Sequence, residues 1–326
     1  MTEEKSEEKT VKVEGLAEAA NALVDYIKTE GRRRQRDATW AGMRRAAIGL
    51  IFLASLAFYL VFQAKMFGFN ANPATEAVAV IPIQGAIAQD ADASSENVVP
   101  LIQKACESDK VKFIALDINS PGGSPNEAER IVQALESCKR DHGKKIYGVI
   151  SEMGASAAFM VAMHTDEIVA GRYSVVGSIG AIMRYVDASV AATRFGVNEH
   201  IFKSGPLKGG VTMLSGGDDN LNKVNQEMVE ALGKDFLAEL YSTRKGKLKA
   251  KPEDVFTGRV WTSSQSLQMG LIDRVGTMES LSESDWKDLK IHRYSIKQAF
   301  VKSFGFEALV KQQINELTNM GAPVLE

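Results

Sequence analysis

Ser156 lies in the run SEMGASAAFMVAMHTDEIVA, residues 151–170, with small residues on both sides. A serine in that setting either packs tightly or presents its hydroxyl as a nucleophile at the start of a helix. The run alone does not decide between the two. Two glycine-bearing turns, NSPGGS at 119–124 and SEMGAS at 151–156, each follow an apolar segment. Glycine lets the backbone approach a ligand closely, and in open α/β sheets ligands bind beyond the carboxyl ends of the strands. A further glycine-rich segment, PLKGGVTMLSGGD at 206–218, carries Lys208. The histidines are His142, His164, His200 and His292. There is no GxxxxGK[ST] run, so the phosphate-cradling signature of an ATP site is missing, and no cofactor or metal is expected. A net charge of -2 over 326 residues gives no global attraction to nucleic acid.

The elements that must carry these residues alternate. AVAVIPIQGAI (77–87) is β-branched and almost continuously apolar, as a strand buried on both faces would be. SENVVPLIQKACESD (95–109) has helical spacing, with Ser95 as the expected N-cap. A second strand, VKFIALDINSPGG, ends in the first glycine turn. The helix after it has Ser124 as cap, Pro125 in its first turn and acids near its start. KKIYGVISEMG is a third strand, ASAAFMVAMHTDE a helix and EIVAG a short strand. Beyond them the spacing predicts a helix at 188–197, a strand at 198–205, a loop at 206–218, and a long amphipathic helix at 222–247. A strand, helix, strand, helix series follows over 256–281. Strand–helix alternation with apolar strands is the pattern of a parallel sheet covered by helices, an α/β fold.

Residues 46–62, AAIGLIFLASLAFYLVF, contain no charge. At about 1.5 Å per residue they reach the lower end of what a bilayer core requires. Lys28, Arg32, Arg33, Arg34, Arg36, Arg44 and Arg45 precede this run, opposed by Glu30 and Asp37, whereas Lys65 alone follows it before Lys104. That asymmetry predicts a single-pass signal anchor with a cytoplasmic N-terminus and the remainder across the membrane. The expected organisation is a cytoplasmic tail at 1–44, a transmembrane anchor at 45–64, a linker at 65–76, an enzyme domain at 77–285 and a helical extension at 286–326. The two cysteines, Cys106 and Cys138, each fall on an expected helix. They are read as buried free thiols, with a disulfide left open by the oxidising compartment that the anchor implies.

Five segments, DINSPGGSPNEAE, GASAAFMVA, EIVAGRYSVVGSIGAIM, FKSGPLKG and FTGRVWTSSQSLQMGLIDRVG, occur in this order and spacing. Together they resemble the bacterial signal peptide peptidase A group of the S49 serine peptidases, over roughly residues 77–280. The resemblance implies the Clp/crotonase-like fold and a Ser/Lys dyad, with Ser156 as nucleophile and Lys208 as general base; Lys203 is the rival base. A histidine triad of the Clp type would place an imidazole roughly 25 residues after the serine, where Ala181 stands. A neutral lysine amine can take the place of the imidazole once burial penalises its ammonium form. The resemblance further implies oxyanion donors from Gly122 or Gly123 and from the amide of Ala157, and a supporting role for Ser178. It implies hydrophobic peptides such as spent signal peptides as substrates, a ring-forming homo-oligomer, and an inner-membrane enzyme with its catalytic domain on the periplasmic or extracellular side. The sequence departs from the family pattern at Ala157–Ala158, where Gly-Gly is common, and in its longer cytoplasmic tail. Two other readings stand beside this one: a protease of the same fold that trims one membrane protein, and a scaffold that binds hydrophobic segments without cutting them.

Overall fold

The computed structural model describes residues 3–66, 71–214 and 216–296. The chain separates into two compact units, residues 1–65 and 66–326. In the first, α1 (Glu3–Met66) is one continuous helix. Its segment Leu23–Gln63 has the length and composition to cross a membrane, and Leu50, Ile51, Phe52 and Phe58 lie exposed along it. The expected short tail helix and the expected anchor are thus parts of a single element.

The second unit is built on β1 (Ala77–Gln84), α2 (Ser95–Glu107), β2 (Val111–Ser120), α3 (Pro125–His142), β3 (Lys145–Ala155) and α4 (Ala157–Met163). There follow β4 (Glu167–Ala170), β5 (Val175–Gly177), α5 (Ser189–Arg194), α6 (Asp219–Thr243) and α7 (Pro252–Val255). β6 (Val260–Thr262), α8 (Ser263–Met269), β7 (Arg274–Val275), α9 (Met278–Glu283) and β8 (Lys290–Arg293) complete it. The sheet runs β6-β5-β3-β2-β1-β8, and β4 pairs with both β3 and β7. The pairings are parallel except β5–β6. This is the covered, mainly parallel α/β sheet that the alternation predicts.

Both faces of the central strands are buried, which explains their unbroken apolar sequence. On one face Ile81, Ile83, Ile114, Leu116 and Ile118 pack with residues of α2, α3 and α4. On the other, Val78, Val80, Tyr147 and Val149 pack with Met278, Leu281 and Trp286. Tyr147 stands edge-on to both Phe113 and Trp286, with ring centroids 5.8 and 5.3 Å apart.

One irregularity in this sheet aims the site. Between the pairs Ile118–Ile150 and Ser120–Gly154, β3 advances four residues while β2 advances two. Extra residues on one strand bend it and change its direction. β3 accordingly pairs with β4 through Tyr147–Ile150 and with β5 through Met153–Ala155. The bend carries its last residue to the turn that holds Ser156.

Several details differ from the sequence-based expectation. The N-cap of α2 is Ser94, one residue earlier than expected, and its side chain makes no capping bond. Residues 198–205 form no strand: they are irregular and almost wholly exposed, and the adjacent apolar residues Ile201 and Phe202 find no buried face to hold them in a sheet. The domain expected at 77–285 does not end there, since β8 adds an edge strand beside β1 and Trp286 and Tyr294 are buried. The helices expected beyond 296 fall outside the described residues.

Cys106 and Cys138 are joined by a disulfide, with their Cα atoms 5.7 Å apart. This corrects the free-thiol reading. Each helix separately suggests only a buried thiol, and the packing of α2 against α3 brings the two together. Closing a loop across 32 residues of separation restricts the unfolded chain by about 3–4 kcal/mol. The double substitution Cys106→Ala/Cys138→Ala is therefore expected to lower unfolding free energy by about that amount. Urea denaturation of the oxidised protein and the variant measures it; equal midpoints would remove the crosslink's role.

A second tie fixes the C-terminal end of α6. Arg244, fully buried, donates to Gly270 O and to both carboxylate oxygens of Asp273, at 2.8 and 3.1 Å. Burial pushes the Asp273 carboxyl up, but the Arg244 guanidinium, the Ile168 N–H and the Lys247 ammonium outweigh burial and hold it below the ordinary carboxylate range. A group depressed in the folded state contributes stability above its unfolded pKa, about 3.9 for aspartate. That contribution is lost as pH falls through the folded value. Asp273→Asn should thus lose about 3 kcal/mol at neutral pH, as a broken buried pair does, and its stability should vary less than wild type below about pH 4. Thermal unfolding from pH 7 to pH 2 tests this; parallel curves for the two proteins would contradict it.

Candidate active site

Ser156 occupies the junction between β3 and α4 in an uncommon backbone conformation, φ 53° and ψ -125°. Such a geometry costs a residue with a side chain about 1–3 kcal/mol and persists where the surroundings enforce it. Here the surroundings are explicit. The Ser156 N–H donates to Gly177 O at 2.8 Å, and its carbonyl accepts from Met160 N–H at 3.0 Å, the first turn of α4. The side chain is half-buried, and its Oγ makes no hydrogen bond among the described residues. A serine serving as helix cap would spend that oxygen on an amide two or three residues on; this one does not.

The turn SPGG is pressed against it. A Cβ on Gly122 would lie 2.7 Å from Ser156 Cβ and 2.9 Å from Ala157 N, so a side chain at 122 would collide with the serine. Gly122, at φ 97°, donates to Ser120 Oγ at 3.1 Å. On its other side the turn is gripped by Ile87, whose N–H donates to Gly122 O at 2.9 Å and whose carbonyl accepts from Ser124 N–H at 2.7 Å. Gly123 is bridged to Ile87, and a Cβ there would run into the Ile87 carbonyl oxygen. Along an extended chain, successive residues direct their amides to opposite sides. With its neighbours turned towards Ile87 on the β1 side, Gly123 turns its own N–H to the β3 side, where Ser156 stands. Neither that amide nor the amide of Ala157, the first residue of α4, has a hydrogen-bond partner among the described residues. Two free amides beside an uncommitted serine hydroxyl are the components of a site that binds a developing oxyanion.

The hydrogen bond from Ser156 to Gly177 O also brings Ser178 alongside. Ser178 has φ 55° and donates its N–H to Arg259 O at 2.7 Å. Three segments separate in sequence, Gly122–Gly123, Ser156–Ala157 and Gly177–Ser178, therefore meet at Ser156. Lys208 is linked to none of them by a hydrogen bond among the described residues. It lies in an exposed turn, where its N–H donates to Gly205 O at 3.1 Å. Its side chain makes no hydrogen bond or ion pair with any described residue. Lys203 is also exposed and donates to Pro206 O at 3.4 Å.

Among the described residues no imidazole makes a hydrogen bond to Ser156. His164 caps the far end of α4, about 12 Å from Ser156 along the helix. Its ring is held between Glu136 of α3 at 3.1 Å and Glu239 of α6 at 2.8 Å. Burial alone would lower its pKa, but the hydrogen bonds to Glu239 and Glu136 outweigh burial and raise it. His292 contacts Ala71 O instead. His164 thus ties α3, α4 and α6 together behind the serine.

Sequence reasoning missed two residues that shape the site, Ile87 and Glu127. Ile87 reads as one more apolar position in a strand. Glu127 reads as an acid suited to the start of α3; in the fold it is buried and accepts from Ser95 N–H on α2 at 2.7 Å.

Residues 138–291 match the family model for Peptidase family S49, a span that includes Ser156 and Lys208 and begins after the SPGG turn. Among known proteins, the chain is 30% identical over 196 residues to a Na(+)/H(+) antiporter NhaA of Brucella abortus (strain 2308), a match covering 58% of this chain and 25% of that protein. It is 28% identical to a putative signal peptide peptidase SppA of Enterococcus faecium, covering 60% of this chain and 56% of the relative. It therefore spans from a quarter to just over half the length of these relatives. A solved structure, a mutant of the 1510-N membrane-bound stomatin-specific protease in complex with a substrate peptide, aligns over 74% of this chain and 100% of its own, with 15% identity and a TM-score of 0.44.

Proposed function

We propose that this chain, whose residues 138–291 match the Peptidase family S49 model, is a membrane-anchored serine endopeptidase acting on hydrophobic peptides, with Ser156 as nucleophile and Lys208 as general base. The observation that carries this is the junction at 156. A strained serine with an uncommitted hydroxyl is followed by the unpaired amide of Ala157 and lies against Gly122 of the SPGG turn, whose Gly123 amide is also unpaired among the described residues.

In this reading the Lys208 amine takes the hydroxyl proton as Ser156 Oγ attacks the scissile carbonyl carbon. The carbonyl oxygen becomes an oxyanion and accepts from Gly123 and Ala157 N–H, with Gly122 allowing the close approach. The Lys208 ammonium then returns the proton to the departing amine, which leaves an acyl-serine. A water molecule, deprotonated by the same amine, releases the acid and restores the serine. Ser178 helps to orient the lysine.

Lys208 sits exposed in a segment whose neighbours Ile182, Phe195, Phe202 and Leu207 are exposed as well. Exposed apolar side chains in such number favour a covering partner. We take that partner to be a second copy in a ring-forming homo-oligomer, so that the lysine reaches the serine of a neighbour. The basic residues before 46 and the disulfide both favour a cytoplasmic N-terminus and a domain on the oxidising side of the inner membrane. There the anchor, residues 46–62, would hold the site near spent signal peptides. Cleavage of a quenched-fluorescence peptide of alanine, leucine and phenylalanine by the full chain and by Ser156→Ala tests the enzyme. If the variant cleaves as wild type does, the serine is not the nucleophile, and a wild type that only binds the peptide is a scaffold. Profiling products in membranes separates broad peptide degradation from the trimming of one membrane protein.

A further inference from the structure

The turn that offers Gly123 N–H is not held by its own residues alone. The chain before it, residues 85–94, runs from β1 to α2, and Ile87 in that stretch clamps the turn from both sides: its N–H donates to Gly122 O and its carbonyl accepts from Ser124 N–H. The chain after the turn enters α3, whose cap Ser124 accepts from Glu127 N–H. α2 begins at Ser95, and its cap residue, Ser94, makes no side-chain bond to it. The acceptor that α2 lacks comes from α3: Glu127 Oε2 accepts from Ser95 N–H at 2.7 Å, and Glu127 Oε1 accepts from Arg130 at 2.9 Å. Glu127 is only 6% exposed. A closed circuit results. It runs from the turn to Glu127, from Glu127 to Ser95, back along 85–94 to Ile87, and from Ile87 to the turn. At the other end of the same two helices, the Cys106–Cys138 disulfide joins α2 to α3 without entering this circuit.

We propose that Glu127 is a positioning residue for peptide cleavage: by capping α2 from α3 it fixes Ile87 against the SPGG turn and so aims Gly123 N–H at the oxyanion. The inference rests on the reading of Ser156 as nucleophile. The Ser95 N–H holds the Glu127 carboxyl below the ordinary range, so the group is a carboxylate acceptor at neutral pH. Loosening the circuit leaves Ser156 and the peptide-binding surface in place. It affects an interaction that strengthens only as charge develops on the substrate oxygen, and so it lowers kcat rather than raising KM.

The test uses the full chain in detergent micelles with the alanine–leucine–phenylalanine reporter peptide. Glu127→Ala is expected to lower kcat on the order of 10- to 100-fold, part of what loss of a whole oxyanion donor causes, with KM within about twofold. Glu127→Gln keeps an acceptor for Ser95 and should recover most of the rate. Ser95→Pro removes the donor at a helix position where proline is tolerated. Ser94, at φ -68° and ψ 155°, already has the conformation that must precede a proline. This variant should reproduce the kcat loss, and it decides the matter if Glu127→Ala does not fold. Cys106→Ser/Cys138→Ser is the control for general loosening: it should lower Tm while keeping kcat within about twofold. The inference is overturned if Glu127→Ala, or Ser95→Pro in its place, keeps wild-type kcat. It is overturned equally if the cysteine control loses as much kcat as they do. With Ser156→Ala inactive, either result leaves the serine peptidase reading standing. A Ser156→Ala protein that still cleaves removes that reading and this inference together.

Discussion

Ser156→Ala is expected to reduce kcat/KM for the reporter peptide by at least about 10⁴-fold, to what the oxyanion donors and binding surface supply alone. The protein should otherwise keep its fold. The substitution removes one oxygen that makes no hydrogen bond among the described residues, so no buried donor is left without a partner. Alanine also enters the same backbone conformation with the same Cβ, so the close contact with Gly122 is kept. A structural serine would behave differently, since losing a helix-capping hydroxyl costs about 1 kcal/mol of stability and no chemistry. The two roles therefore predict opposite pairs of results. Activity collapses at constant Tm for a nucleophile, whereas Tm falls with activity retained for a packing or capping residue. Steady-state cleavage and thermal unfolding of the same preparation separate them.

The parts of this molecule legible in the sequence are those whose cause is local. Continuous apolarity of β1, β2 and β3 marks strands buried on both faces, and Ser124 with Pro125 marks the start of α3. The glycines at 122 and 123 announce a turn that needs a missing Cβ. What they do not announce is the object that requires it, the Ser156 side chain on one side and the Ile87 carbonyl on the other. Other features depend on what lies across the fold. Cys106 and Cys138 look like separate buried thiols until α2 and α3 are neighbours. KIHR at 290–293 is too short and too polar to read as a strand, and becomes β8 only because β1 offers it an edge. The segment 198–205 shows the converse: the adjacent apolar residues Ile201 and Phe202, with no sheet edge to receive them, remain exposed and irregular. Glu127 belongs to the same class, since an acid in a first helical turn suits its own helix dipole whether or not it caps another. Lys208 is the extreme case, because its expected role depends on reaching Ser156, to which no hydrogen bond among the described residues links it.

That dependence makes Lys208 the most informative substitution after the serine. Lys208→Ala is expected to lower kcat by roughly 10³- to 10⁴-fold, because a serine hydroxyl without a proton acceptor is a poor nucleophile. Lys203→Ala should fold and keep a measurable part of the activity, since its amine already donates to Pro206 O. The decisive measurement mixes two inactive proteins. If the amine comes from a neighbouring copy, Ser156→Ala and Lys208→Ala subunits co-assembled in equal amounts bring an intact serine and an intact lysine together in about a quarter of sites by random closure. Activity should then reappear in the mixture, rise with the square of dilute subunit concentration if the assembly is a dimer, and vanish when the assembly is dissociated. An amine acting within its own chain gives no recovery at any mixing ratio, because each subunit lacks one of the two groups. Full activity in Lys208→Ala alone would remove the lysine from the chemistry, and the base would then have to be sought among groups that reach the Ser156 hydroxyl only after peptide binds.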